Sequence, residues 1–260
     1  MSEKIKTLAR GLAALEKLCL TRGMTQSELS RYLGVDRSTA LRFLQTFEEE
    51  GYVFRDIQGR YFPTLKIAEV ARNVVDGIEV RKLASSHLQE LAALTGFSTH
   101  LAVISDYRVV YVDGEEGSGM VKVNAEIGMN APIHCTATGK AMAAFQNQKE
   151  REEMIKQQEI NEGGLHAYTE KTITSRDKLG EHLEIVTGKG YAVDDEEFEP
   201  GIRCLAAPVF DAENRAVAVI GISGTASRLL SEDLAEQAAT VCKTALEISR
   251  MMRLKNYEAL

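Results

Sequence analysis

No stretch of the 260 residues approaches the roughly 20 consecutive apolar residues that a membrane-spanning helix needs. The opening MSEKIKTLARGL also lacks the apolar core and small-residue cleavage site of a secretory signal, so the cytoplasm is the expected compartment. Cysteine is sparse: Cys19, Cys135, Cys204 and Cys242 lie far apart and form no Cys-x-x-Cys pair. That removes a disulfide framework and a zinc knuckle, and leaves free thiols. There is no Gly-x-Ser-x-Gly and no His-Glu-x-x-His, so a nucleophile elbow and a zinc-protease helix are both missing. His134 stands beside Cys135, but no second His or Cys falls at a metal-ligand spacing, so neither metal nor cofactor is expected. The run Thr136 to Lys140 imitates half of a phosphate loop. Position 134 is His where that loop needs Gly, and Ala141 replaces the hydroxyl that would face magnesium, which excludes nucleotide hydrolysis.

The composition that is present, 44% hydrophobic and 27% charged, is that of an ordinary globular protein, and the length exceeds the usual single domain. The net charge of -7 hides an asymmetry. Residues 1–63 carry ten Lys/Arg against eight Asp/Glu, while 64–260 carry 21 against 30. A mildly basic head on an acidic body suits a protein that touches DNA through one end.

Apolar residues from Ile5 to Leu20 recur at helical spacing. Thr25-Gln-Ser-Glu28 is a capping box opening a short second helix that Gly34 closes. Asp36 then caps a third helix reaching about Glu50, with Ala40, Leu41, Leu44 and Phe47 as its apolar stripe. Two helices separated by so short a turn have helix-turn-helix spacing. Ser38, Thr39, Arg42 and Thr46 project from the other side of the third helix, and Arg42 has the fork that matches a guanine edge. Tyr52 to Arg55, the turn Asp56 to Gly59, and Arg60 to Phe62 read as a hairpin closed by Pro63, a wing with Arg55 and Arg60 near its tip. The candidate DNA contacts are Arg10, Thr25, Gln26, Asp36, Arg37, Ser38, Thr39, Arg42, Arg55 and Arg60. This head spans 1–63.

Residues 64–95 read as a helical linker: one helix from Leu65 to about Val75 capped by Thr64, and another from Glu79 to Leu94. From 96 to 260 the pattern mixes hairpins and helices, which favours an α+β domain with an antiparallel sheet. Strands are expected at Ser98–Ile104, Val109–Asp113, Val121–Ala125, Tyr191–Asp194, Leu205–Phe210 and Ala216–Ser223. Helices are expected at Thr138–Phe145, Lys149–Gln158, Ser175–Lys189 and Ser231–Leu254, with Glu159 to Thr172 as a loop. The acidic run Asp194-Asp-Glu-Glu197 with Glu199 reads as a solvated loop.

Several of these residues carry a resemblance. Arg10-Gly-Leu12, Asp36-Arg-Ser-Thr39 with Arg42 and Leu44, Glu50-Gly-Tyr52, Pro132-Ile-His-Cys-Thr-Ala-Thr-Gly-Lys140, Gly190-Tyr-Ala-Val-Asp194 and the run Gly201 to Asp211 together resemble the IclR family of bacterial transcription regulators. The resemblance runs end to end, and Gly201 to Asp211 is its most specific part. It implies a winged helix-turn-helix, a GAF-like effector domain, a dimer or tetramer, a palindromic double-stranded operator and control of a catabolic operon. It further implies an effector cavity lined by Ala137, Thr138, Asp194, Cys204 and Ser223, with Met120 and Val123 as apolar wall. Gly221 stands where some relatives have serine, and Ala137 where some have glycine.

The proposed cavity has a physical logic of its own. Thr136 to Gly139 opens a helix whose free N–H groups and positive end suit an anion. Asp194 opposite would repel a second carboxylate yet accept from a ligand hydroxyl or amine, which points to an acidic or hydroxylated metabolite. Two alternatives use the same residues: an enzyme built on Asp194 and Cys204, or a thiol redox sensor built on Cys135 and Cys204.

Overall fold

The computed structural model describes residues 5–21, 23–119, 123, 125–230 and 232–258, the side chains of 255–258 excepted. It divides into two compact units, Met1–Gly77 and Ile78–Leu260, so the two helices expected as a linker fall one in each.

The first unit contains α1 (Lys6–Leu20), α2 (Gln26–Leu33), α3 (Arg37–Glu49), β1 (Val53–Arg55), β2 (Tyr61–Pro63) and α4 (Lys66–Asp76). Thr25 and Glu28 form the reciprocal capping box, and Gly34 closes α2 in the left-handed region at φ 61°. Asp36 caps α3 by accepting from the Thr39 amide at 2.9 Å. Ala14, Leu18, Leu29 and Leu44 are fully buried, and Val53 and Tyr61 close the core from the hairpin. Met24 and Tyr61 exchange backbone hydrogen bonds, which fastens the wing to the segment before α2. Leu65 flanks the start of α4, and the Thr64 hydroxyl accepts from the Lys66 amide at 3.3 Å while donating to the Gly51 carbonyl at 2.6 Å, so Thr64 caps the helix start and ties it to the end of α3.

The second unit contains α5 (Glu79–Thr95), β3 (Ser98–Ser105), β4 (Arg108–Glu115), α6 (Ala137–Ala144), α7 (Gln148–Glu162), α8 (Arg176–Lys189), β5 (Ala192–Asp195), β6 (Ile202–Phe210), β7 (Ala216–Thr225) and α9 (Leu234–Glu258). Its five-stranded sheet has the order β4-β3-β7-β6-β5 and is antiparallel throughout. Strand alternation divides the core. Leu101, Leu205, Ala207, Ile220 and Ile222 face α5 and α9, while Ala102, Ala206 and Val219 face the side packed by α6, α7 and α8. α5 buries Ala84, Leu88 and Leu91 in the first of these clusters, which makes it part of the second unit's core.

α7 continues to Glu162 before Gly163 ends it, so the expected loop starts later than the sequence suggests. Of the expected strand Val121–Ala125, Val121, Lys122 and Asn124 lie outside the described residues, and Val123 and Ala125 are irregular. Ser231, expected to open the last helix, also lies outside them.

α6 is seated hard against the chain before it. A Cβ on Gly139 would stand 2.3 Å from the Pro132 carbonyl oxygen and 2.7 Å from the Ile133 Cα, both of them backbone atoms. Gly139→Ala is therefore expected to destabilise the second unit by about 1–3 kcal/mol, the range for overpacking a closed core. A lower urea midpoint at unchanged m-value would register this, and an unchanged midpoint would contradict the contact.

Candidate functional site

In the first unit, the outer surface of α3 carries Arg37, Ser38 and Arg42 exposed, with Thr39 half-buried beside them. The Asp36 carboxylate organises its start. It accepts from the Ser38 hydroxyl at 2.5 Å and the Thr39 hydroxyl at 2.7 Å, besides the Thr39 amide. These bonds hold its carboxyl well below the usual carboxylate range, so Asp36 stays ionised. Gln26 donates from Nε2 to the Arg37 carbonyl at 2.7 Å, tying α2 to the start of α3. Thr25 is committed to the capping box, and Arg10 is exposed on α1.

The two wing arginines part company. Arg55 is exposed, with its guanidinium 5.6 Å from the Tyr61 ring centroid. Arg60 turns inward, donating to the Gly23 carbonyl at 2.7 Å and pairing with Glu28 at 3.2 Å. Between them Ile57 is fully exposed at the tip, a residue the charge-based reading had no reason to select.

In the second unit a cavity of about 70 Å³ opens between α6, β4, β5 and β6. That is several times the roughly 10–15 Å³ a single water needs, and leaves room for a small organic molecule. Ala137, Thr138, Asp194 and Cys204 line it, four residues expected from the sequence. Tyr111, Asn130, Phe198 and Ile202 line it too, and sequence reasoning missed them because they sit in strands and turns whose pattern is that of ordinary core. Ser223 lies one step behind. Its hydroxyl is 3.0 Å from the Cys204 Sγ and 2.9 Å from the His100 Nε2. Gly221 is on the same sheet face but stands against the Leu205 carbonyl, 2.6 Å from where a Cβ would be, so it packs the sheet. Val123 is half-buried and outside the lining, and Met120 lies outside the described residues.

Not every amide at the start of α6 is free for an anion. The Gly139 amide donates to the Thr136 hydroxyl at 2.9 Å and is already used. Ala137 and Thr138, the first residues of α6, retain the amides that no helical carbonyl can reach, and both line the cavity.

The acidic run is not a solvated loop. Asp194 points inward from β5 and is buried, while Asp195 points outward to Arg203 and Lys171. Glu196 takes a left-handed turn at φ 64°, which returns Glu197 to the interior, where it pairs with Lys140. Lys140 is fully buried on α6. Thr169 and Thr172 donate to the Glu196 and Glu197 carbonyls at 2.8 and 2.6 Å, so the segment before α8 is stitched over this turn. Burial pushes Asp194 up to about 7, against the opposing pull of the Glu197 amide and the Lys140 charge. The same burial, with the nearby Asp194 charge, pushes the Cys135 and Cys204 thiols up. Thiols so held are protonated and poor nucleophiles, which leaves the enzyme and redox readings without an activated sulfur.

Residues 72–250 match the bacterial transcriptional regulator IclR C-terminal family, and residues 7–56 match the IclR helix-turn-helix domain. The chain is 30% identical over 256 residues to the HTH-type transcriptional regulator KdgR of Dickeya chrysanthemi, covering 98% of this chain and 82% of that one. It is 31% identical over 250 residues to the transcriptional repressor IclR of Escherichia coli, covering 95% and 89%. Among solved structures, the Thermotoga maritima IclR superposes with a TM-score of 0.74 at 31% identity, over 96% of this chain and 99% of that one.

Lys140→Met would leave Glu197 buried without its cation and is expected to destabilise the second unit by about 3–5 kcal/mol, with Lys140→Met/Glu197→Leu recovering most of it. Urea unfolding of both variants measures the difference. Asp194 has a folded-state value above its unfolded one, so its contribution is complete below the unfolded value of 3.8 and is lost as pH rises through about 7. Asp194→Asn should therefore gain in melting temperature relative to wild type on going from about pH 5 to about pH 8.5. A constant difference would contradict the buried carboxyl.

Proposed function

The chain belongs to the IclR family of bacterial transcriptional regulators, and on that premise we propose that it controls a catabolic operon by changing its hold on DNA when a small acidic or hydroxylated metabolite enters the second unit's cavity. The observation that carries the sensing role is the cavity itself, where the start of α6 faces a buried carboxyl across a largely apolar wall. A pocket of mainly apolar lining with a few convergent polar groups is the form small-molecule sites take.

For DNA, Arg42 is the base reader, because it is exposed on the outer face of α3 and its fork fits guanine O6 and N7. Ser38 and Thr39, whose hydroxyls Asp36 holds, present the helix start to phosphate, while Arg10, Gln26 and Arg37 flank it. Arg55 reaches the backbone or minor groove from the wing, and Ile57 beside it offers an apolar contact. Arg60 fixes the wing to α2 and acts on DNA through that position. Residues 1–63 form the DNA-binding head.

The protein works as a dimer or tetramer on a palindromic operator, its heads meeting half-sites about 34 Å or a multiple apart. Leu8 and Leu12 on α1, with Val70 and Val74 on α4, are more than half exposed and supply apolar surface for self-association.

Thermal melting against a metabolite panel, followed by operator binding with and without each stabilising compound, tests the sensing role. Stabilisation with altered operator affinity is expected, and turnover of a compound would instead favour an enzyme. Arg42→Ala is expected to weaken specific operator binding by about 1–3 kcal/mol and to relax base preference. Arg60→Ala should lower the first unit's stability and weaken all sequences alike. Unchanged base preference of Arg42→Ala in a site selection would remove it as a reader.

A further inference from the structure

Asp194 is the charged group of the cavity whose neutralisation the fold leaves open. Lys140 reaches toward it from α6 but is already paired with Glu197, and both are buried. From the turn after β5, Glu197 brings a like charge and one backbone donor, its amide lying 2.7 Å from the Asp194 Oδ1. The remaining neighbours add no cation. Tyr111 on β4, Cys204 on β6 and Cys135 before α6 carry hydroxyl or thiols that burial keeps protonated. His182 on α8 is pushed down to about 4 by burial and stays neutral. The Phe198 amide is a second backbone donor to Asp194, and beyond it lies the positive end of α6 at Ala137 and Thr138, which line the same cavity. That suits one anion. Two carboxylates enclosed together, one from the protein and one from a ligand, cannot both remain ionised at close range.

We propose that Asp194 is a proton switch: when a carboxylate ligand enters the cavity, Asp194 takes one proton from solvent and donates the resulting O–H to that ligand, so binding and proton uptake are coupled. This rests on the acidic-metabolite reading above. The ligand carboxylate then lies between the α6 amides and a neutral acid, each of which donates to it. The burial that raises Asp194 to about 7 makes the uptake nearly free of penalty at neutral pH and increasingly unfavourable above it. Neutral hydroxylated ligands need no proton and escape the dependence.

The test uses the full chain with acetate, glycolate and lactate as probes and lactamide as the uncharged control. Ligand-observed NMR titration at about pH 6.5, 7.5 and 8.5 is expected to show acid affinity falling about eightfold between the last two values, with lactamide flat. In Asp194→Asn the acid affinities should not vary with pH. Carboxyl carbon NMR of the ligand-free protein should show a resonance that titrates near neutrality and vanishes in Asp194→Asn. Flat acid affinity in wild type, an equal slope in the variant, or titration of Asp194 in the ordinary carboxylate range would each overturn the switch while leaving acid sensing intact. If Asp194 titrates near neutrality but none of the acids binds at any pH, the acidic-metabolite reading fails and the coupling with it. Should the variant not fold, the wild-type slope decides alone.

Discussion

The buried pair between Lys140 and Glu197 is the constraint on which the sensor unit is hung. A fully buried ammonium must have a partner, because removing the charge from water costs several kcal/mol that only a close, well-bonded anion offsets. That requirement fixes the path of the chain after β5. Asp194 faces in, Asp195 out, Glu196 turns left-handed, and Glu197 returns to reach α6. The segment before α8 then binds the carbonyls of this turn through Thr169 and Thr172, and Tyr168 packs on Phe198 at 4.8 Å between centroids. Asp194 and Phe198, two walls of the cavity, are thus placed by a salt bridge that does not itself line the cavity.

The first unit depends on a different device. Its core is small, and side-chain caps set where its second and third helices begin. Thr25 and Glu28 start α2, Gly34 stops it, and Asp36 starts α3 within three residues. The caps do double duty, since Asp36 also orients Ser38 and Thr39 at the end of α3 that would approach phosphate. Arg60 serves the fold in the same way, satisfying the Gly23 carbonyl and Glu28.

What could be read from the sequence follows from the range of the interactions. The capping box at Thr25, the cap at Asp36 and the wing turn from Asp56 to Gly59 are local, and all three formed where the residues indicated. Ala137, Thr138, Asp194 and Cys204 came from motif resemblance and do converge on one cavity. The misses are non-local. Nothing near Arg60 in the chain announces that it meets Glu28, and Glu197 lies 57 residues from Lys140. One signal was present: Lys140 stands in the otherwise uncharged segment Ala137 to Ala144, where an ion requires a partner, and the acidic run was the supply. Reading that run as solvated treated its four carboxylates as equivalent, whereas strand alternation alone separates Asp194 from Asp195.

The same charges bear on which ligands the cavity accepts. With Lys140 and Glu197 cancelling, its lining holds one carboxyl and the positive end of a short helix. A monocarboxylate matches that end once Asp194 is neutral, whereas a dicarboxylate would place a second anion against Phe198, Ile202 or Cys204, none of which can compensate it. A hydroxylated neutral ligand carries no such requirement, because its hydroxyl can donate to an ionised Asp194 or accept from a neutral one. Only the acid class therefore depends on the protonation of this residue. Rising pH selects against the acids, without any change in the shape of the fold.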